Sequence, residues 1–277
     1  MQKICALLAF ALLLSTFQPG FAQKGGARRK PASGGAKPAQ VFVYPQFKLK
    51  DGRVCRWLAE QMPLRVYVSR GGSLDEFPDE AMGASVVNVD NTSAWPDLVA
   101  KIISENPDSV KSLPVANGYS EQQFQAAIQG INMWKPFEQE GLFSFVYTDD
   151  PAEADIYVFW THHFVNKMGL ALFANDIRGY TSKYMLGPVK AVLAHPEQAN
   201  FKPVVILLRT SETTDTPMPF GKLRAAAAHE FGHALGIDGH SPMATDLMSI
   251  YYGRGVLSGN DAATIRYLYR SPPDLIP

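Results

Sequence analysis

The chain has little cysteine, no net charge and, beyond residue 22, no long apolar run. Each absence excludes something. Its 2 cysteines, Cys5 and Cys55, cannot build an internal disulfide framework, because Cys5 falls in a leader expected to be removed. Basic and acidic residues both number 26, so the overall balance offers no pull toward nucleic acid or an acidic polymer. No later stretch is long and apolar enough to cross a bilayer, so no stable membrane insertion is expected. No internal repeat is present. What remains is a 277-residue chain that is 46% hydrophobic, enough to bury a core.

The N-terminus reads as a secretory leader. Lys3 supplies a positive n-region, Ile4 to Leu14 an apolar h-region, and Gly20-Phe21-Ala22 the small residues that a signal peptidase reads. Residues 1–22 are therefore expected to be a cleaved signal peptide, and the protein to be secreted or periplasmic. No cysteine stands just past the cleavage site, so a lipoprotein anchor is not expected. From Gln23 to Gln40 the chain is rich in Gly, Ala, Pro and basic residues, with no acid and no apolar periodicity. Such a segment cannot offset its ordering entropy. The expected layout is a flexible basic linker at 23–55 and one domain at 56–277, with ordered structure starting near Val41 and secure by Trp57.

Within that domain, Leu64–Ser69 alternates and is β-branched, as a strand requires. Pro96–Asn106 has helical spacing inside a long insertion. Ser120 with Gln123 forms a capping-box signal, and Phe124, Ala127, Ile128, Ile131 and Trp134 make an amphipathic helix that should stop before Pro136. Phe143–Tyr147, Ala154–Trp160 and Val204–Leu208 read as strands. One or two further strands are expected between Thr161 and Pro203, with Gly169–Ala174 and Val189–Ala194 as the candidates. A helix from about Lys222 to Leu235 and a last one opened by Ser258 and Asp261 complete an α+β domain.

The chemistry concentrates in one segment, His229-Glu230-Phe231-Gly232-His233. One helical turn places both imidazoles on the same face, close enough to share a cation, and neutral imidazole is a natural ligand for Zn2+. Glu230 then stands beside the metal, where it can take a proton from an attacking water and return it to a leaving amine. Three of the 6 histidines fall between 229 and 240, and Gly236 follows one turn after His233, where a helix must end to swing back another ligand.

The stretch His229–His240, HEFGHALGIDGH, resembles the metzincin metallopeptidases, the matrixin-like branch above all. Their motif is HExxHxxGxxH. In this chain the third-ligand position is Gly239, and the histidine comes one residue later, at His240. His240-Ser241 leads to Leu247-Met248 at the usual matrixin interval, so the extra residue lies in the turn before His240. His240 is the expected third ligand, with Asp238 as the alternative. The resemblance covers most of Leu64 to Arg270, thinning at 77–118 and 161–203. It implies a twisted mixed sheet, an active-site helix, a Met-turn and a C-terminal helix. It also implies Met248 as the hydrophobic floor below the metal and Tyr252 as part of the substrate pocket.

The expected function is that of a secreted zinc-dependent endopeptidase acting on an extended peptide or protein. The alternative is an inactive secreted zinc-binding or adhesion domain of the same fold. His162-His163 lacks the acidic spacing of a metal site and reads as an ordinary loop pair. Cys55 lies where a matrixin propeptide would place a zinc-capping thiolate, but Arg53-Val54-Cys55-Arg56 lacks the propeptide motif.

Overall fold

The computed structural model describes residues 40–75, 78–79, 84–85, 87–166, 168–172, 177–183, 186–194 and 201–277. The expected signal peptide, and the linker up to residue 39, lie outside them. The alternating stretch after Pro63 forms β1 (Leu64–Ser73), and the insertion that follows carries α1 (Trp95–Glu105). Then come α2 (Glu121–Ile131), β2 (Phe145–Tyr147), β3 (Ile156–Thr161) and β4 (Gly179–Ser182). A short helix α3 (Val189–Ala194), β5 (Val204–Arg209), α4 (Phe220–Ala234) and α5 (Gly259–Arg270) complete the chain.

The five strands form one sheet in the order β2-β1-β3-β5-β4. All neighbours pair in parallel except β4, which runs antiparallel to β5 at the edge. The mixed, mostly parallel sheet with its helices agrees with the expected α+β class. Every residue of β3 and β5 is buried, which is why their sequences are continuous apolar runs. Side chains alternate between two cores. Ile156, Val158, Trp160, Val204, Ile206 and Leu208 face α2 and α4. Tyr157, Phe159, Val205 and Leu207 face the other way, where Trp95, Val99 and Ile102 of α1 cover them. The insertion therefore closes the second face of the sheet.

Helices α2 and α4 lie in close contact at Gly130. A Cβ there would run into the Arg224 carbonyl and stand 2.9 Å from Ala227 Cβ, so this approach needs glycine against alanine. Trp134 then donates its indole N–H to the Ala228 carbonyl at 2.8 Å. Together these contacts fix the rotation of α4, and hence the face on which the next two residues, His229 and Glu230, stand.

Two expectations need correction. Residues 40–55 do not behave as linker: Tyr44, Phe47, Val54 and Cys55 are buried, and the compact unit begins at Gln40. The Tyr44 amide donates to Thr264 Oγ1, and its hydroxyl to Asp261, so apolar burial along α5 outweighs the ordering cost. Of the two strand candidates, Val189–Ala194 is helical, with Val189 and Val192 against Leu58 and Ile276. The other is a strand over Ala171–Leu172, paired with Phe164–Val165 apart from the five-stranded sheet, and residues 173–174 lie outside the described ones. The edge strand is Gly179–Ser182, which carries no apolar run because its edge position is only half covered. As its spacing predicts, α2 ends before Pro136, at Ile131, and a tighter turn over Asn132–Phe137 follows it, a common ending for an α-helix.

Candidate metal centre

His229 Nδ1 lies 2.8 Å from the Leu247 carbonyl and His233 Nδ1 2.7 Å from the Ile237 carbonyl. A carbonyl can only accept, so each Nδ1 carries the proton and each Nε2 keeps a lone pair. The two Nε2 atoms face each other at 3.1 Å. Burial pushes His229 down to about 3. Burial, and then the neighbouring imidazoles, hold His233 well below its ordinary value. Two neutral lone pairs at this distance repel unless a cation lies between them. Tetrahedral zinc, with Zn–N of about 2.0–2.1 Å, asks for about 3.3 Å between nitrogens, so the pair fits it.

The third histidine arrives by a turn whose parts can be traced. Helix α4 ends in a Schellman arrangement: the Ile237 amide bonds the Gly232 carbonyl at 3.1 Å, and the Gly236 amide bonds His233 at 3.0 Å. Gly236 has φ +118°, and a Cβ on it would stand 2.5 Å from the Cys55 carbonyl. The same turn aims the Ile237 carbonyl at His233 Nδ1. Beyond it, the Asp238 and Gly239 amides bond the carbonyls of Phe47 and Gln46 at 3.0 and 2.8 Å. Gly239, where the motif expects a histidine, is thus pressed against the N-terminal segment, and the extra residue brings His240 round to the pair. Its ring lies 5.1 Å from that of His229 and 5.0 Å from that of His233. The ligand atoms of the three lie within 4.8 Å of one another. Asp238 is turned instead to Lys183, at 3.5 Å, and stands outside this group. Accordingly, His240→Ala is expected to weaken zinc binding at least about 10-fold and Asp238→Ala to leave it within about twofold, as read by competition with a chromogenic chelator. The reverse order would make Asp238 the ligand.

The 241–248 loop is closed by the Ser241 amide on the Met248 carbonyl at 2.8 Å and by Ser241 Oγ on Asp246 at 2.6 Å. Asp261, wholly buried at the start of α5, accepts the amides of Leu247 and Met248 at 2.8 and 3.2 Å and that of Ser258 at 2.8 Å. Met248 is fully buried beneath Gly232 of α4. Tyr252 sits at φ +58°, a backbone region that costs a non-glycine residue free energy and that clusters at functional sites. Its ring is 4.6 Å from that of His229, and its hydroxyl accepts the Arg178 amide at 3.1 Å.

Glu230 is buried beside the histidines, and burial pushes its carboxyl up to about 8. Thr181 Oγ1 lies 2.8 Å from Glu230 Oε2. A cavity of about 570 Å³ opens over this arrangement, lined by His229, Glu230, His233, His240, Thr181 and Tyr252 among others. Along one side runs β4. The Arg209 amide bonds the Arg178 carbonyl at 2.9 Å, so by antiparallel alternation the backbone groups of Gly179 and Thr181 point away from β5, to the outer edge.

Sequence reasoning missed Thr181 and Lys183, which come to the cavity from an edge strand without a recognisable pattern. Asp261 was visible only as a helix opener. His162 and His163 stand apart from the cluster, with His162 Nδ1 at 3.2 Å from the Asn117 carbonyl, as a loop pair would be. Cys55 is buried, its thiol pushed up to about 11 by desolvation, and it is not part of the ligand group.

Comparison with known families gives a match to one whose description is Matrixin, over residues 117–270. That span exceeds half of the chain and contains every cavity residue named above. No curated protein shows a significant match.

Proposed function

The chain belongs to the matrixin family, and from that membership we propose that it is a secreted zinc-dependent endopeptidase. Membership supports a zinc metallopeptidase type of function. The observation that carries the reading further is the pair of deprotonated Nε2 atoms facing each other at 3.1 Å, with a third imidazole and a buried carboxylate beside them. His229, His233 and His240 would hold the zinc. When bound, zinc supplies a Lewis acid that polarises the scissile carbonyl and acidifies water.

The rest is work for the chain's own residues. Glu230 takes the proton of the attacking water and delivers it to the departing nitrogen. The outer edge of β4 offers the backbone groups of Gly179 and Thr181 to an extended peptide, which would add to the sheet as a further strand. Tyr252, packed on His229, forms one wall of the cavity. Met248 supports the histidine pair from below. Residues 1–22 act as the signal peptide. No helix among the described residues is long and apolar enough to cross a membrane.

The test is hydrolysis of an unfolded protein such as casein by the purified mature chain. Chelation should abolish cleavage, and added zinc should restore it. Cleavage indifferent to the chelator would overturn the metal's role. A protein that binds one zinc and cleaves nothing would be the binding domain that the sequence left as the alternative. N-terminal sequencing of the exported protein should begin at Gln23.

A further inference from the structure

We propose that Thr181 is a positioning residue for Glu230, holding one carboxylate oxygen so that the other faces the reacting water; this rests on the zinc-peptidase reading. Thr181 Oγ1 has a single proton and two acceptors in reach, Glu230 Oε2 at 2.8 Å and the Glu230 carbonyl at 2.9 Å. The carboxylate is the stronger acceptor, and the carbonyl lies within α4, where the helix ladder already serves it. The hydroxyl therefore belongs to Oε2.

Three features make the contact more than incidental. Glu230 is buried, and among the described residues the Thr181 hydroxyl is the side chain that hydrogen-bonds its carboxyl group and so fixes its rotamer. Threonine is β-branched and stiff about χ1, and on a strand held by β5 its hydroxyl stays where the backbone puts it. The carboxylate stem is also packed closely by Gly179, where a Cβ would stand 2.6 Å from Glu230 Cγ. Thus β4 grips Glu230 from two alternate positions, the same two whose backbone faces the substrate edge. Substrate strand and proton acceptor are referenced to one element, which keeps them in register within the small tolerance that proton transfer demands.

The experiment compares Thr181→Val, which removes the hydroxyl at nearly constant shape, with Thr181→Ser, which restores it. Both are made in the zinc-loaded mature chain. The valine variant should keep one zinc and an unchanged KM while kcat falls about 10-fold, and the serine variant should recover kcat to within about threefold. A second readout needs no activity: thermal unfolding of the metal-free protein in a cycle of Thr181→Val, Glu230→Leu and the pair. Val should lower Tm when Glu230 is present, and not when position 230 is apolar. Wild-type kcat in the valine variant, equal loss in both variants, or additive Tm shifts would each overturn the proposal. If the unaltered zinc-loaded chain cleaves nothing, the peptidase reading fails, and the Tm cycle still decides whether Thr181 holds Glu230.

Discussion

Replacing Glu230 by alanine is expected to lower kcat/KM by roughly 10²–10⁴-fold while leaving one zinc bound. The loss is large because the other nearby carboxylates among the described residues are engaged: Asp238 is turned to Lys183, and Asp246 and Asp261 are committed to the loop below the histidines. Zinc should stay because the ligand atoms belong to three histidines whose orientation does not depend on Glu230. His229 and His233 are aimed by the Leu247 and Ile237 carbonyls. Metal analysis beside initial rates on a peptide substrate checks both halves. Unaltered turnover would mean that the proton acceptor lies elsewhere, and loss of zinc would make Glu230 a ligand or a structural support.

Asp261→Ala should act from a distance, on stability and on the metal together. Its carboxylate accepts three backbone amides and the Tyr44 hydroxyl, and it is 0% exposed, so no water replaces it. Leaving those donors unpaired should cost on the order of 3–5 kcal/mol. For a domain of this size that corresponds to a fall in Tm of about 10 °C. The amides released include that of Leu247, whose carbonyl receives His229 Nδ1–H. Zinc affinity should therefore fall by roughly 10–100-fold, the usual effect of losing an outer support of a metal ligand. Thermal unfolding of the metal-free protein and a zinc competition titration measure the two effects separately. A destabilised variant with full zinc affinity would uncouple the loop from the site.

Much of the fold was legible because its signals are local. The capping boxes at Ser120 and Ser258, the apolar runs of β3 and β5 and the alanine stretch before His229 each follow from short-range patterning. The errors fell where tertiary contacts decide. β4 is polar and short, and only its pairing with β5 makes it a strand. Val189–Ala194 has strand-like residues, but its valines pack against Leu58 and Ile276 at helical spacing. Residues 40–55 follow directly on a linker-like stretch, yet the turns at Gly236 and Gly239 and the flank of α5 give them surfaces to bury against.

For the site, the sequence alone determined the pair His229 and His233 and the carboxylate between them, because helical geometry converts a spacing of four into one face without further help. It also narrowed the third ligand to His240 or Asp238. The folded chain brings His240, and not Asp238, to the pair. The amides of Asp238 and Gly239 are held by carbonyls nearly two hundred residues away in sequence, at Phe47 and Gln46, and the Asp238 carboxylate is drawn to Lys183. Thr181 likewise reaches Glu230 only because β4 closes the sheet edge beside α4. Hydrogen bonds of this kind depend on where distant segments meet, and a linear motif carries no record of that.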